Sequence, residues 1–127
     1  MPATQHAQDA TWWIACLCAE WCGVCREWRP AFAEQARAHP HLRFAWVDVE
    51  DESDAMGDID VETFPTLLVV RGNEPLFLGP IPPSGAGLAR LIASLQAQPR
   101  PVAGLPAAAG PLLQRLVAEV LPRMPVA

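Results

Sequence analysis

The sequence predicts an α/β fold in which a βαβ unit is followed by a β-hairpin and a closing helix. Three observations carry this reading. Residues 12–18, "WWIACLC", form an unbroken apolar run that suits a strand buried on both faces. From Gly23 to about Ala38 the pattern turns helical, with Cys25, Trp28, Phe32 and Ala36 on one stripe and Arg26, Glu27, Glu34 and Arg37 elsewhere. Residues 42–49, "LRFAWVDV", then read as a second strand, which a helical crossover places parallel to the first.

The remaining elements follow in order. Pro30 lies inside the first helix and should kink it by removing a backbone hydrogen bond, and His39-Pro40 ends it. An acidic segment, "EDESDAMGDIDVETF", comes next, in which Ser53 could cap a short helix. "TLLVV" (66–70) and "PLFL" (75–78) flank "RGNE" and predict an antiparallel hairpin. Leu88, Leu91, Ile92 and Leu95 recur at helical spacing, with Ser84 or Gly85 opening that helix. Beyond Gln98 the Pro/Ala/Gly stretch "PRPVAGLPAAAGP" reads as a stiff linker. It leads into "LLQRLVAEVL", whose Leu112, Leu113, Leu116, Val117, Val120 and Leu121 form a wide apolar face that must be covered.

Composition limits the function classes. A chain of 127 residues fits one domain with a real core, and an apolar fraction of 51% excludes a disordered chain. No apolar run reaches the roughly 20 residues of a membrane span, and the stretch before the cysteines lacks the basic start of a secretory signal. A cytoplasmic protein with reduced thiols is the expectation. The net charge of −5 and the scattered arginines argue against nucleic acid.

All four cysteines fall within "CLCAEWCGVC", residues 16–25. Cys22 and Cys25 form a C-x-x-C at a strand-to-helix junction. Cys22 falls at or near the helix N-terminus, where free N–H groups and the macrodipole favour a thiolate. Cys25 lies one turn in, close enough for a small disulfide yet turned inward, so Cys22 is the candidate nucleophile and Cys25 the candidate resolver. Two other readings stay open. Cys18, Cys22 and Cys25 match the C-x₃-C-x₂-C spacing of three cluster ligands, although a strand and a helix should splay Cys18 from Cys25. Zinc usually wants four ligands in separated pairs, and His6, His39 and His41 stand isolated. Inert, buried cysteines are the third reading.

At these residues the sequence resembles the thioredoxin family. The family pattern D-F-W-A-x-W-C-G-P-C-K lies over "CLCAEWCGVCR", where Ala19, Trp21, Cys22, Gly23 and Cys25 match and Arg26 keeps the charge. Pro30 matches the family's helix-kinking proline, and Val61, Pro65 and Thr66 match its V-x-[GS]-x-P-T. Gly72 and Gly79 match later glycines. The resemblance implies a thioredoxin-like βαβ plus ββα sandwich, N-terminally shortened and carrying an extra C-terminal helix. It divides the chain into an N-terminal segment 1–11, a domain at 12–98, and a linker with an amphipathic helix at 99–127. It further implies a cis bond before Pro65, a redox-active Cys22–Cys25 disulfide with no bound cofactor or metal, and substrate contacts at Trp21, Gly23, Val24, Phe64 and Pro65. The Phe64 backbone would pair with an extended substrate segment, and Trp28 belongs to the buried helix face.

Three departures stand out. The family's buried aspartate and lysine fall at Cys16 and Trp46, and losing both avoids stranding one buried charge. A thiol is a poor substitute base, so Glu20, Asp48 or Glu50 acting through water is the expectation, with slower resolution or an altered pH dependence. Val24 replaces the proline between the cysteines and should make the centre less reducing than thioredoxin itself. Cys18 replaces a tryptophan, either as silent core or as a third reactive thiol exchanging with Cys22. Cys16, Cys18 and Glu20 are thus accessory candidates. Eleven residues cannot supply the helix and edge strand that usually open this fold. The C-terminal helix could cover the face so exposed, or dock on a second copy as a homodimer. The expected activity is protein thiol–disulfide exchange, with dithiol or disulfide proteins as substrates and a reductase or small thiol as electron source. The alternatives are a binding or assembly module for a client protein, and a Cys-ligated metal protein.

Overall fold

A computed structural model describes residues 11–57, 61 and 63–123. The 1–10 part of the N-terminal segment, and residues 58–60 and 62 of the acidic segment, lie outside them. Four strands form one sheet: β1 (Trp12–Cys18), β2 (Arg43–Asp48), β3 (Thr66–Arg71) and β4 (Glu74–Pro80). Their order is β2-β1-β3-β4, with β1 parallel to β2 and antiparallel to β3, and β4 antiparallel to β3. The helices are α1 (Gly23–Ala38), the single turn α2 (Ser53–Met56), α3 (Gly85–Ala97) and α4 (Ala109–Glu119).

Strand parity divides the core into two layers. Successive side chains of a strand point to opposite faces, so Ile14, Cys16 and Cys18 of β1 join Leu67 and Val69 of β3 on one face. There α1 delivers Cys25, Trp28, Phe32 and Ala36, and α3 delivers Leu88, Ile92 and Leu95. Ala15 and Leu17 turn the other way, with Ala45, Val47, Leu68 and Val70. Coverage of both faces is why β1 reads as an unbroken apolar run.

Local chemistry sets the boundaries. Ser84 caps α3, its Oγ accepting from the Gly87 N–H at 3.1 Å. Arg71 and Glu74 pair at the end of the hairpin, and Gly72 supplies the positive φ of 62° that the first position of such a two-residue turn requires. Pro75 and Pro80 are tolerated because β4 is an edge strand.

The C-terminal segment belongs to the same core. The linker after α3 runs beside β4, where the Val102 N–H donates to the Leu76 carbonyl at 2.9 Å, and carries the chain to the opposite face of the sheet. There Ala109, Leu112, Leu113 and Leu116 of α4 bury against the second layer, together with Val120 and Leu121. Arg115 clamps α4 in place: Nε donates to the Ala55 carbonyl at 2.6 Å and one terminal nitrogen to the Met56 carbonyl at 3.1 Å. These are carbonyls at the end of α2 that lack intrahelical partners. Of the two roles expected for this apolar stripe, covering the chain's own sheet or docking on a second copy, the structure shows the first, because an intramolecular face is available to it.

Candidate active site

The site lies where β1 runs into α1. Cys22 is the N-cap of α1, in extended backbone, with the Arg26 N–H donating to its carbonyl at 3.2 Å. Its thiol is free and partly exposed. The tight β1–α1 connection is closed by the Cys22 N–H donating to the Ala19 carbonyl at 3.0 Å. It is held from the side by Asp48 at the end of β2. One Asp48 carboxylate oxygen accepts from the Glu20 N–H at 3.0 Å, and the other accepts from the Glu50 and Asp51 N–H groups at 2.9 and 3.1 Å. Arg26 reaches back to the Glu20 carbonyl at 2.8 Å.

An apolar rim surrounds Cys22. Trp21 is 62% exposed and Val24 43%, although both are large hydrophobic residues. The Trp21 indole N–H donates to a Glu50 carboxylate oxygen at 2.8 Å, and its ring meets Phe64 edge-on with centroids 5.7 Å apart. Phe64 is half-buried, Pro65 is buried, and the peptide bond between them is cis. Gly23 has open space beside it, the Arg26 guanidinium at 3.9 Å being the nearest group a Cβ would meet.

The disulfide differs from the expected one. Cys25 is bonded to Cys18, with Cα atoms 5.9 Å apart, and not to Cys22. The reason is the parity of β1. Cys18 points to the face on which α1 packs, and its Cα lies within the usual span of a disulfide. Strand and helix thus bring these two sulfurs together, where the sequence pattern suggested that they would be splayed apart. Part of the signal was available, since Cys16 and Cys18 share a strand face and Cys25 lies on the helix stripe that covers it, but parity alone does not choose between Cys16 and Cys18.

Cys16 completes the cluster. It is free and buried, with its Sγ 3.8 Å from that of Cys18, and it accepts from the Trp28 indole N–H at 3.4 Å. Burial pushes its thiol up to about 12, against a smaller lowering by the Trp28 hydrogen bond. Cys16 and Trp46 are cross-strand partners, so the two positions where the resemblance would place a buried acid and base hold two neutral groups side by side. Trp46 packs edge-on against Phe32 at 5.6 Å and carries the Arg29 guanidinium over its ring at 5.0 Å. A cleft of about 370 Å³ opens beside this wall, lined by Cys25, Arg26, Trp46, Asp48 and Glu20 among others. Glu50 instead serves Trp21. Asp48 as the organiser of the loop was not legible in the sequence, since its three N–H donors come from two separate loops. Among the described residues, no group of three or more His, Cys, Asp or Glu side chains is placed to hold a metal ion.

Comparisons with known proteins bear on the same region. The thioredoxin family model matches residues 4–80, more than half of the chain. Thioredoxin H4-2 of Oryza sativa subsp. japonica is 33% identical over 61 residues, covering 48% of this chain and 46% of the relative. A thioredoxin H-type protein of Fagopyrum esculentum is 38% identical over 56 residues, covering 44% and 48%. The chain thus spans about half the length of the curated relatives it matches. The thioredoxin of Fasciola hepatica superposes with a TM-score of 0.60 at 21% identity, over 73% of this chain and 89% of that one, a likeness of fold. With the sheet order, the Cys22–Cys25 spacing at the head of α1 and a match that takes in both, the chain belongs to the thioredoxin family.

Proposed function

We propose that the protein is a thiol–disulfide oxidoreductase that exchanges disulfides with protein substrates through Cys22. One observation carries the reading: a free, accessible thiol caps α1, while Cys25, one turn further, is buried and already engaged in disulfide chemistry. At the cap, the Cys22 sulfur stands at the exposed end of α1, where a substrate disulfide can reach it. Cys22 Sγ attacks one sulfur of a substrate disulfide, and the other leaves as a thiolate. The Cys25 thiol of the fully reduced protein then attacks Cys22 Sγ and releases the second substrate thiol. Two electrons pass to the substrate, and a disulfide remains in the protein.

The exposed rim of Trp21 and Val24, with Phe64 behind it, suits an apolar stretch of substrate chain, and the backbone before Pro65 would pair with it in extended form. The cleft lined by Asp48 and Glu20 offers a water route for the Cys25 proton, which Cys16, neutral at ordinary pH, cannot take. The reading involves no bound cofactor. Electrons would come from a reductase or a small-thiol pool, and that requirement makes a cytoplasmic setting part of the proposal.

Dithiothreitol-driven insulin reduction tests it. Wild type should accelerate precipitation and Cys22→Ser should lose the effect. No acceleration by wild type would refute exchange and favour a client-binding module that uses the same exposed rim.

A further inference from the structure

Three cysteine sulfurs stand in series at this site. Cys22 is at the surface, Cys25 lies one turn in, and Cys18 lies beneath it at the end of β1. Cys25 and Cys18 are both fully buried, so neither sulfur of their disulfide is open to a bulky external thiol. Cys22 packs against the same buried cluster that holds both of them. A residue at an N-cap and one three positions on are neighbours on the helix surface. Cys22 is thereby the natural entry to the buried pair.

We propose that Cys18 is a second, internal partner of Cys25, which takes the disulfide over from Cys22 and returns Cys22 to the surface as a free thiol in the oxidised protein. The inference rests on Cys22 being the exchanging thiol. Substrate reduction leaves Cys22–Cys25. The Cys18 thiolate then attacks Cys25 Sγ, the Cys18–Cys25 bond forms, the Cys22–Cys25 bond breaks, and the electron pair leaves on Cys22 Sγ. The proton lost by Cys18 is regained by Cys22, and no net oxidation occurs. Reduction of the stored disulfide runs in reverse, with Cys22 attacking Cys25 Sγ before an external thiol meets the accessible Cys22–Cys25 bond. Cys16 stays out of this traffic by position: its sulfur accepts from the Trp28 indole N–H, and it is Cys18 that sits within bonding distance of Cys25.

The consequence is a split of activity by redox state. Reduced protein carries both an attacking and a resolving thiol. Oxidised protein still attacks but has its resolver locked, so a mixed disulfide on Cys22 persists until a thiol of the substrate itself displaces it. That displacement would rearrange the substrate's disulfides without net electron transfer.

The test uses the full chain, oxidised with diamide, freed of reagent and alkylated. Trypsin with a protease cutting after glutamate separates Cys16 and Cys18 from Cys22 and Cys25, because Glu20 lies between the pairs and Arg26 follows them. The expected product is a cross-link between the two fragments through Cys18 and Cys25, with Cys22 alkylated. Native oxidised wild type should also release about one equivalent of thionitrobenzoate from dithionitrobenzoate, and oxidised Cys18→Ala about none. A Cys22–Cys25 disulfide with Cys18 alkylated would overturn the relay on wild type alone, whatever the variant's folding. Insulin reduction by the same reduced wild type separates the cases: activity with that wrong pairing sinks only the relay, whereas inactivity sinks the exchange reading itself.

Discussion

Leu116 lies on α4 with no exposed surface, packed into the second core layer with Leu112, Leu113 and the strand residues Leu17, Val47 and Leu68. Replacing it with alanine removes three carbons, each worth about 0.8 kcal/mol in transfer from water. The void they leave adds a cavity term, and the total for a fully buried leucine is about 3–4 kcal/mol. That is a large part of the roughly 5–15 kcal/mol that holds a domain of this size together. Val117, the next residue, is 44% exposed and provides the internal control: Val117→Ala should change stability by less than about 0.5 kcal/mol. Urea unfolding of both variants, followed by tryptophan fluorescence with m-values compared, is the assay. Leu116→Ala should lower the midpoint strongly at constant m. If both variants shift equally and slightly, α4 does not belong to the cooperative core and its docking on the sheet is refuted.

Other outcomes follow from named contacts. Arg115→Met should cost about 2 kcal/mol in the same assay, because two carbonyls at the end of α2 lose a charged donor. Gly57→Ala should cost about 1–3 kcal/mol, since Gly57 sits at a φ of 62° and an added Cβ would lie 2.9 Å from the Arg115 guanidinium; an unaltered midpoint would refute that close approach. Cys16 gives a pH signature. Its folded thiol is raised from 9.0 to about 12, so its contribution is complete below pH 9 and is lost as pH rises toward 12. Wild-type stability should fall by about 1 kcal/mol between pH 9 and 10, and Cys16→Ala should flatten that slope. Trp21→Ala should raise the KM for insulin by about tenfold through loss of an exposed aromatic contact, with kcat little changed.

Much of the architecture was readable from pattern. The unbroken run at 12–18, the stripe of Cys25, Trp28, Phe32 and Ala36, and the spacing of Leu88, Ile92 and Leu95 report burial on two faces or one, which depends on period alone. The head of the site was also legible, because a C-x-x-C at a strand-to-helix junction places one thiol at the cap and the next one turn in. Asp48 was less visible as the organiser of the active-site loop, and Arg115 was not visible as the clamp on α4. Each acts across a gap in sequence, on backbone groups that carry no residue identity.

By itself, then, the sequence determined the order of elements, the two-faced sheet and the position of Cys22 at the cap of α1. These follow from side-chain periodicity and from the backbone preferences of a few residues, which are local. Two matters were decided only by the tertiary structure. One is that α4 turns its apolar stripe onto its own sheet, which depends on where the linker past β4 delivers it. The other is that Cys25 meets Cys18, because four cysteines in ten residues permit several pairings, and only the packing of α1 on one face of β1 selects among them.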